Sequence, residues 1–275
     1  MNIIDKSSFS SPLGFDQSSA ERARGRMKRI VLSLAFLLMA ISISAQKLNV
    51  AAAANLRNVL EDIKTAYVKL NPKAIVNLTF GSSGTLVQQI TNGATFDFFM
   101  AADDEFPLKL KAKGLTTGAI NVYAYGKLAL YSTTFAVDKN GLDALKNPNL
   151  RKIAIANPET APYGERSIEL LKRLQLYDDL KPKIVIAENI SAAAQYAFTG
   201  NTELGFVALS LALTPEMNGK GHYYIIPQKL YKPIAQACVL IKTPVLNTEA
   251  VKFKKFVLSP ANKAVWEKYG YTPNP

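Results

Sequence analysis

Four polar turns hold the residues of this chain best suited to chemistry, each placed where an apolar, strand-like run gives way to a helical pattern. They are Ala54-Asn55 after residues 48–52, Gly81-Ser82-Ser83-Gly84-Thr85 after 75–80, residues 157–164 after 153–156, and Glu188-Asn189-Ile190 after 184–187. In an open α/β sheet, ligands sit beyond the carboxyl ends of the strands, where helix N-termini point free N–H groups at whatever is bound. The first N–H groups of a helix have no internal partner, and the aligned peptide dipoles add about half a positive charge there. Asn55 and Ser83 can donate from their side chains as well, and Gly81 and Gly84 let the main chain approach a ligand closely. Such turns suit an anion: a dianion taken out of water needs many donors, because an unpaired buried charge costs several kcal/mol or more.

What the turns lack sets the selectivity. Molybdate, tungstate and sulfate only accept hydrogen bonds at neutral pH, whereas phosphate keeps a proton that calls for a carboxylate acceptor. The first two turns contain no Asp or Glu, and Glu159 and Glu188 stand in the other two. Exclusion of phosphate therefore requires both carboxylates to point away, and sulfate, with its shorter bonds, would be rejected by pocket size. Taken singly, the same residues read as ordinary caps and turns, Tyr163 as a surface aromatic and Ile190 as core.

The elements that must position these turns follow from periodicity. Leu56, Val59, Leu60, Ile63 and Tyr67 fall at helical spacing, a helix from Leu86 is expected to stop at Asn92-Gly93, and further helices are expected over 165–174 and 191–198. Short Val, Ile and Ala-rich strands alternate with them, which predicts an α/β fold with mostly parallel sheets.

Composition bounds the remainder. Met27-Lys28-Arg29 and the apolar run 30–43, roughly 14 residues and too short to span a bilayer, read as a secretory signal cleaved near Ala45. Residues 1–26 are expected to lie upstream of the true start, and with no Cys after the cleavage region a freely diffusing periplasmic protein is expected. About 230 residues with nearly half hydrophobic content can bury a large core. The formal charge of +12 falls to near +9 without residues 1–45, and the lysines are spread along the chain, so no nucleic-acid partner is expected. A Gly-Ser-Ser-Gly turn could host a nucleophile, as in a secreted serine-type hydrolase. A serine nucleophile needs a base, however, and the one His, His222, lies in a Gly-Lys-Gly-His-Tyr stretch that reads as an exposed loop. One His and one Cys, Cys238 in an apolar run, argue against a catalytic zinc site. No catalytic residue, bare metal site or cofactor is therefore expected; a secreted sensor or adhesive module is the other rival class.

Five segments together resemble one family. They are Val50-Ala51-Ala52-Ala53-Ala54-Asn55-Leu56, Phe80-Gly81-Ser82-Ser83-Gly84-Thr85-Leu86, Phe96-Asp97-Phe98-Phe99-Met100-Ala101-Ala102-Asp103, Pro162-Tyr163-Gly164 and Leu204-Gly205-Phe206-Val207-Ala208. In this order and spacing the chain is similar, over essentially all of its mature length, to the periplasmic molybdate-binding proteins of ABC-type importers. The resemblance implies a two-lobed periplasmic binding protein fold of type II with the ligand, molybdate or tungstate, in the interlobe cleft, held by neutral donors. It places Asn55 and Ser83 at binding positions, with Ala54, Tyr163 and Ile190 offering backbone N–H groups. Residues 46–125 and 228–275 would form one lobe and 126–227 the other, in a monomer that delivers its ligand to a membrane permease. The same fold binding sulfate, phosphate or a small organic anion is the nearer alternative. One departure stands out: some members carry a ligand-touching Tyr where this chain has Ala208.

Overall fold

The computed structural model describes residues 47–274; the signal segment 27–45 and its leader lie outside the described residues. The chain begins with β1 (Lys47–Ala53), α1 (Arg57–Leu70), β2 (Ile75–Gly81), α2 (Ser83–Thr91), β3 (Phe98–Met100), α3 (Glu105–Ala112) and β4 (Thr116–Gly126). It continues through β5 (Leu128–Ser132), β6 (Ile153–Ala156), α4 (Pro162–Arg173), β7 (Ile184–Ala187), α5 (Ile190–Phe198), β8 (Leu204–Ala208) and β9 (His222–Ile225). It ends with β10 (Ile234–Ile241), α6 (Thr248–Val257), α7 (Lys263–Lys268) and β11 (Thr272–Pro273), short turns of helix completing the connections.

These strands form two sheets, one ordered β11-β4-β10-β3-β1-β2 and the other β7-β6-β8-β5-β9. The chain passes between them twice, from Gly126 to Leu128 and from Ile225 to Ile234. The sheets are mixed where mostly parallel ones are expected. In the first, β2, β1 and β3 are parallel while β10 runs antiparallel to β3 and β4; in the second, β7, β6 and β8 are parallel while β5 runs antiparallel to β8 and β9. The reason is the double passage: β4 leaves the first sheet and β10 returns to it, β5 enters the second and β9 leaves it, and an outgoing strand beside an incoming one is antiparallel.

Strand–helix alternation buries apolar faces as the periodicity predicts. Val59, Leu60, Ile63 and Tyr67 of α1 are buried, Tyr67 packing against Phe253 and Phe256 with ring centroids 5.0 and 5.2 Å apart. The inner strands are apolar on both faces, as strands covered by helices must be: β5, β6 and β8 are buried throughout. Cys238 is buried on β10, where desolvation pushes its thiol up to about 12, so it is an inert core residue. Among the described residues no helix is long and apolar enough to cross a membrane.

Candidate functional site

The parallel halves of both sheets end in the four turns singled out by the sequence. β1 passes through a single tight turn, Ala54–Leu56, into α1, with Ala54 and Asn55 buried. β2 ends at Gly81, and α2 starts three residues earlier than the periodicity suggests, so that Ser83 is its first helical residue. The cap is Ser82, whose Oγ accepts from Thr85 N at 3.3 Å. α4 likewise begins at Pro162, a residue with no N–H to leave unpaired, and Tyr163 follows it. α5 begins at Ile190 behind Asn189, whose Oδ1 accepts from Ser191 N and Ala192 N at 3.0 and 3.1 Å. Capping therefore falls to Ser82 and Asn189 and not to Asn55 or Ser83, whose side chains make no cap bond.

All five residues expected at a site, Ala54, Asn55, Ser83, Tyr163 and Ile190, line one cavity, together with Ala102 of the turn after β3. Its free space is of the order of a single water. Drug-sized ligands, by contrast, fill roughly 300–1,000 Å³. Larger cavities occur elsewhere, such as one over Tyr67, Lys252 and Phe256, and include none of these turns.

The donors around the cavity are selected by what their neighbours do. Gly84 N donates to Thr160 O at 2.8 Å, Gly164 N and Glu165 N both donate to Ala161 O, and Ser191 N and Ala192 N are taken by Asn189. The N–H groups of Ser83, Tyr163 and Ile190 find no acceptor among the described residues. Ser83 Oγ accepts from Ala102 N at 3.0 Å, which leaves its own proton free to donate. No charged side chain lines the cavity. Glu159 and Glu188 are exposed, and Arg166 is buried in ion pairs with Glu165 and Glu169 at 2.8 and 3.4 Å.

Contacts between elements of the two sheets close around these turns. Ser191 Oγ donates to Ala54 O and Ser210 Oγ to Asn55 O, both at 3.0 Å. At Gly84 a Cβ would stand 2.9 Å from Thr160 Cα and 3.1 Å from Phe106 Cε1, so the absent side chain serves the approach of the facing turn as well as that of any ligand. Gly81 has no such need, since a Cβ there would meet only Leu86 at 3.4 Å. Gly164 fits where a Cβ would overlap the carbonyl of Ala156, allowing α4 to sit against the end of β6.

Beneath the cavity lies a buried polar network that no spacing argument predicts. Asn55 Nδ2 donates to Gln236 Oε1 at 3.0 Å and to the Tyr271 hydroxyl at 2.8 Å, leaving Asn55 Oδ1 buried without a partner. Gln236 Nε2 donates to the Tyr163 hydroxyl at 2.9 Å, and the Tyr271 hydroxyl reaches Asn55 O at 2.9 Å. Trp266 packs against Tyr123 and Tyr271, holding both rings in place. Burial pushes the Tyr123, Tyr163 and Tyr271 hydroxyls up, so all three keep their protons at neutral pH. The signal available in the sequence was Gln236 itself, a polar residue in the otherwise apolar run of β10. Tyr163, which could have been a surface aromatic, is 1% exposed. Ala208 is the buried last residue of β8 and does not line the cavity.

Two further titratable groups stand outside the cavity lining. Asp103, next to Ala102, accepts from Phe106 N at 3.1 Å at the start of α3; burial raises its carboxyl to about 6, against the pull of that bond. His222 begins β9, with Nδ1 2.8 Å from Asp138, and does not line the cavity. Ser83 thus has no imidazole partner there.

Residues 48–272 match the model of a family described as bacterial extracellular solute-binding protein. The chain belongs to this family. It is 37% identical over 235 residues to the molybdate-binding protein ModA of Rhodobacter capsulatus, covering 85% of this chain and 91% of that one. The fold superposes on the periplasmic molybdate-binding protein of Azotobacter vinelandii with a TM-score of 0.78 at 32% identity, over 83% of this chain and all of the other. A sulfate-binding protein from Mycobacterium tuberculosis shares the fold at 13% identity, with a TM-score of 0.72. The architecture thus outlives sequence similarity and does not by itself choose a ligand. Proteins of this family are components of transport systems.

Proposed function

We propose that this chain is a periplasmic substrate-binding protein that captures molybdate, or the nearly equal tungstate, and delivers it to the membrane permease of an ABC importer. The observation that carries the reading is that Ser83, Tyr163 and Ile190, whose helix-start N–H groups find no acceptor among the described residues, line one small cavity that no charged residue lines. Uncharged donors in a water-excluding site match an anion that only accepts hydrogen bonds. The exposed positions of Glu159 and Glu188 remove the carboxylate that a protonated oxyanion would call for. The names of the relatives at 36–37% identity point to the same ligand.

In this reading Ala54, Asn55, Ser83, Tyr163 and Ile190 hold the ion, and no cofactor or catalytic residue takes part. Residues 46–125 and 228–275 form one lobe and 126–227 the other. Closure is driven by contacts available only when the turns of both lobes meet around the ion. Export uses the signal over 27–45, and the mature protein acts as a monomer.

Titration calorimetry of the mature chain with molybdate, tungstate, sulfate and phosphate tests the proposal. Heat and a raised melting temperature are expected with the first two and neither with the others, because a ligand bound only by the folded form stabilises it. Tighter binding of sulfate or phosphate than of molybdate overturns the ligand, and no response to any oxyanion overturns the class.

A further inference from the structure

We propose that Gln236 is a positioning residue for the oxyanion site, fixing which end of the Asn55 amide faces the cavity. The inference rests on the oxyanion reading above and on a count of protons in the buried network. With the contacts as described, Gln236 Oε1 lies 3.0 Å from both Asn55 Nδ2 and the Tyr123 hydroxyl, and Gln236 Nε2 lies 2.9 Å from the Tyr163 hydroxyl. The single Tyr123 proton then faces two acceptors, Gln236 Oε1 and Ala101 O at 2.8 Å. The Tyr163 proton faces no acceptor among the described residues, and Asn55 Oδ1 is buried without a partner.

The oxygen and nitrogen ends of an amide are nearly the same size, so Asn55 and Gln236 can both turn over in place. Gln236 Nε2 then donates to Asn55 Oδ1 and to the Tyr123 hydroxyl, Tyr123 donates to Ala101 O, and Tyr163 donates to Gln236 Oε1. Tyr271 donates to Asn55 Oδ1, and Ser210 Oγ keeps Asn55 O. Each of these atoms is then paired, and the one group of the network left without a protein partner is the Asn55 NH2. The two amides must turn together, because turning one alone sets oxygen against oxygen or NH2 against NH2.

In this arrangement the Asn55 NH2 takes the buried place that has no hydrogen-bond partner among the described residues, on a residue that lines the cavity. A donor there suits a fully deprotonated oxyanion; a carbonyl there would repel it and suit a protonated one. Gln236, 181 residues away in sequence and out of reach of the cavity wall, thereby decides what Asn55 offers.

The test is a double-mutant cycle read by calorimetry with molybdate on the wild type, Asn55→Ala, Gln236→Met and the double variant. Gln236→Met is expected to weaken binding about tenfold when Asn55 is present, and less than about threefold in the Asn55→Ala background. A second measurement does not depend on Gln236→Met folding. In the nitrogen-15-labelled wild type, the Asn55 side-chain NH2 pair, assigned by its loss in Asn55→Ala, is expected to shift on saturation with molybdate. Equal losses in both backgrounds, or an NH2 pair that stays put while the ion binds, overturn the role of Gln236 alone. A wild type that binds no molybdate overturns the oxyanion reading and this inference with it.

Discussion

In the proposed site the two halves of the cavity supply the same kind of atom by different means. Turns of the first sheet bring side-chain chemistry, the Ser83 hydroxyl and the Asn55 amide, alongside backbone N–H groups. Turns of the second sheet are proposed to bring backbone only: the Tyr163 hydroxyl is engaged by Gln236, Ile190 is packed in the core, and the peptide N–H of each finds no acceptor among the described residues. A site can therefore be half encoded in residue types and half in backbone course, and the two halves should respond differently to substitution.

The backbone-only half should fail through geometry. Gly164→Ala forces a Cβ into the carbonyl of Ala156, and the expected result is a loss of at least about 3 kcal/mol in denaturant melts or failure to fold. A soluble variant of wild-type stability would mean that the start of α4 has slack and does not hold the Tyr163 N–H. The side-chain half should fail through chemistry. Ser83→Ala is expected to keep the fold and weaken molybdate binding by about 1.5–3 kcal/mol, the range for a hydrogen bond to a charged group; unchanged calorimetric affinity removes Ser83 from the site.

Asp103 sharpens the contrast, being a buried acid next to the first sheet's turns that does not line the cavity. Its folded value of about 6 lies above the ordinary 3.8, so the folded state holds its proton more tightly than the unfolded chain. The stabilisation linked to that proton is complete below the unfolded value and is lost as pH rises through about 6. Asp103→Asn, which keeps an acceptor for Phe106 N, is expected to be the more stable protein at pH 7–8 by about 1–2 kcal/mol and to lose the slope between pH 4 and 6. Parallel pH profiles of melting temperature for the two proteins would refute this. The smallest effect belongs to Ile190→Val, which leaves the peptide in place. Affinity should stay within about 0.5 kcal/mol, while stability falls by about 0.5–1.5 kcal/mol for the lost methylene. A large affinity loss would make the Ile190 side chain part of the recognition.

Much of this was legible in the sequence because it depends on local order. Alternating apolar runs and helical spacing gave the strand–turn–helix units, and a strand before a helix start is enough to mark where free N–H groups gather. The Ser82-Ser83 pair was ambiguous, since either hydroxyl could cap; only the backbone angles of the turn made Ser82 the cap and freed Ser83. Tyr163 and Ile190 are legible only through family resemblance, because a residue expected to contribute its peptide leaves no trace in its side chain.

By itself the sequence determined the α/β alternation, the buried stripes of its helices and the four turns with their uncharged donors, all of which arise from neighbours within a few positions. Tertiary structure alone decided that those turns share one cavity, that the sheets are mixed, and that Gln236 and Tyr271 meet Asn55 across 181 and 216 residues. The physical reason is that a buried polar contact between distant segments depends on how two sheets joined by a double passage come to rest against each other, and no local period records it.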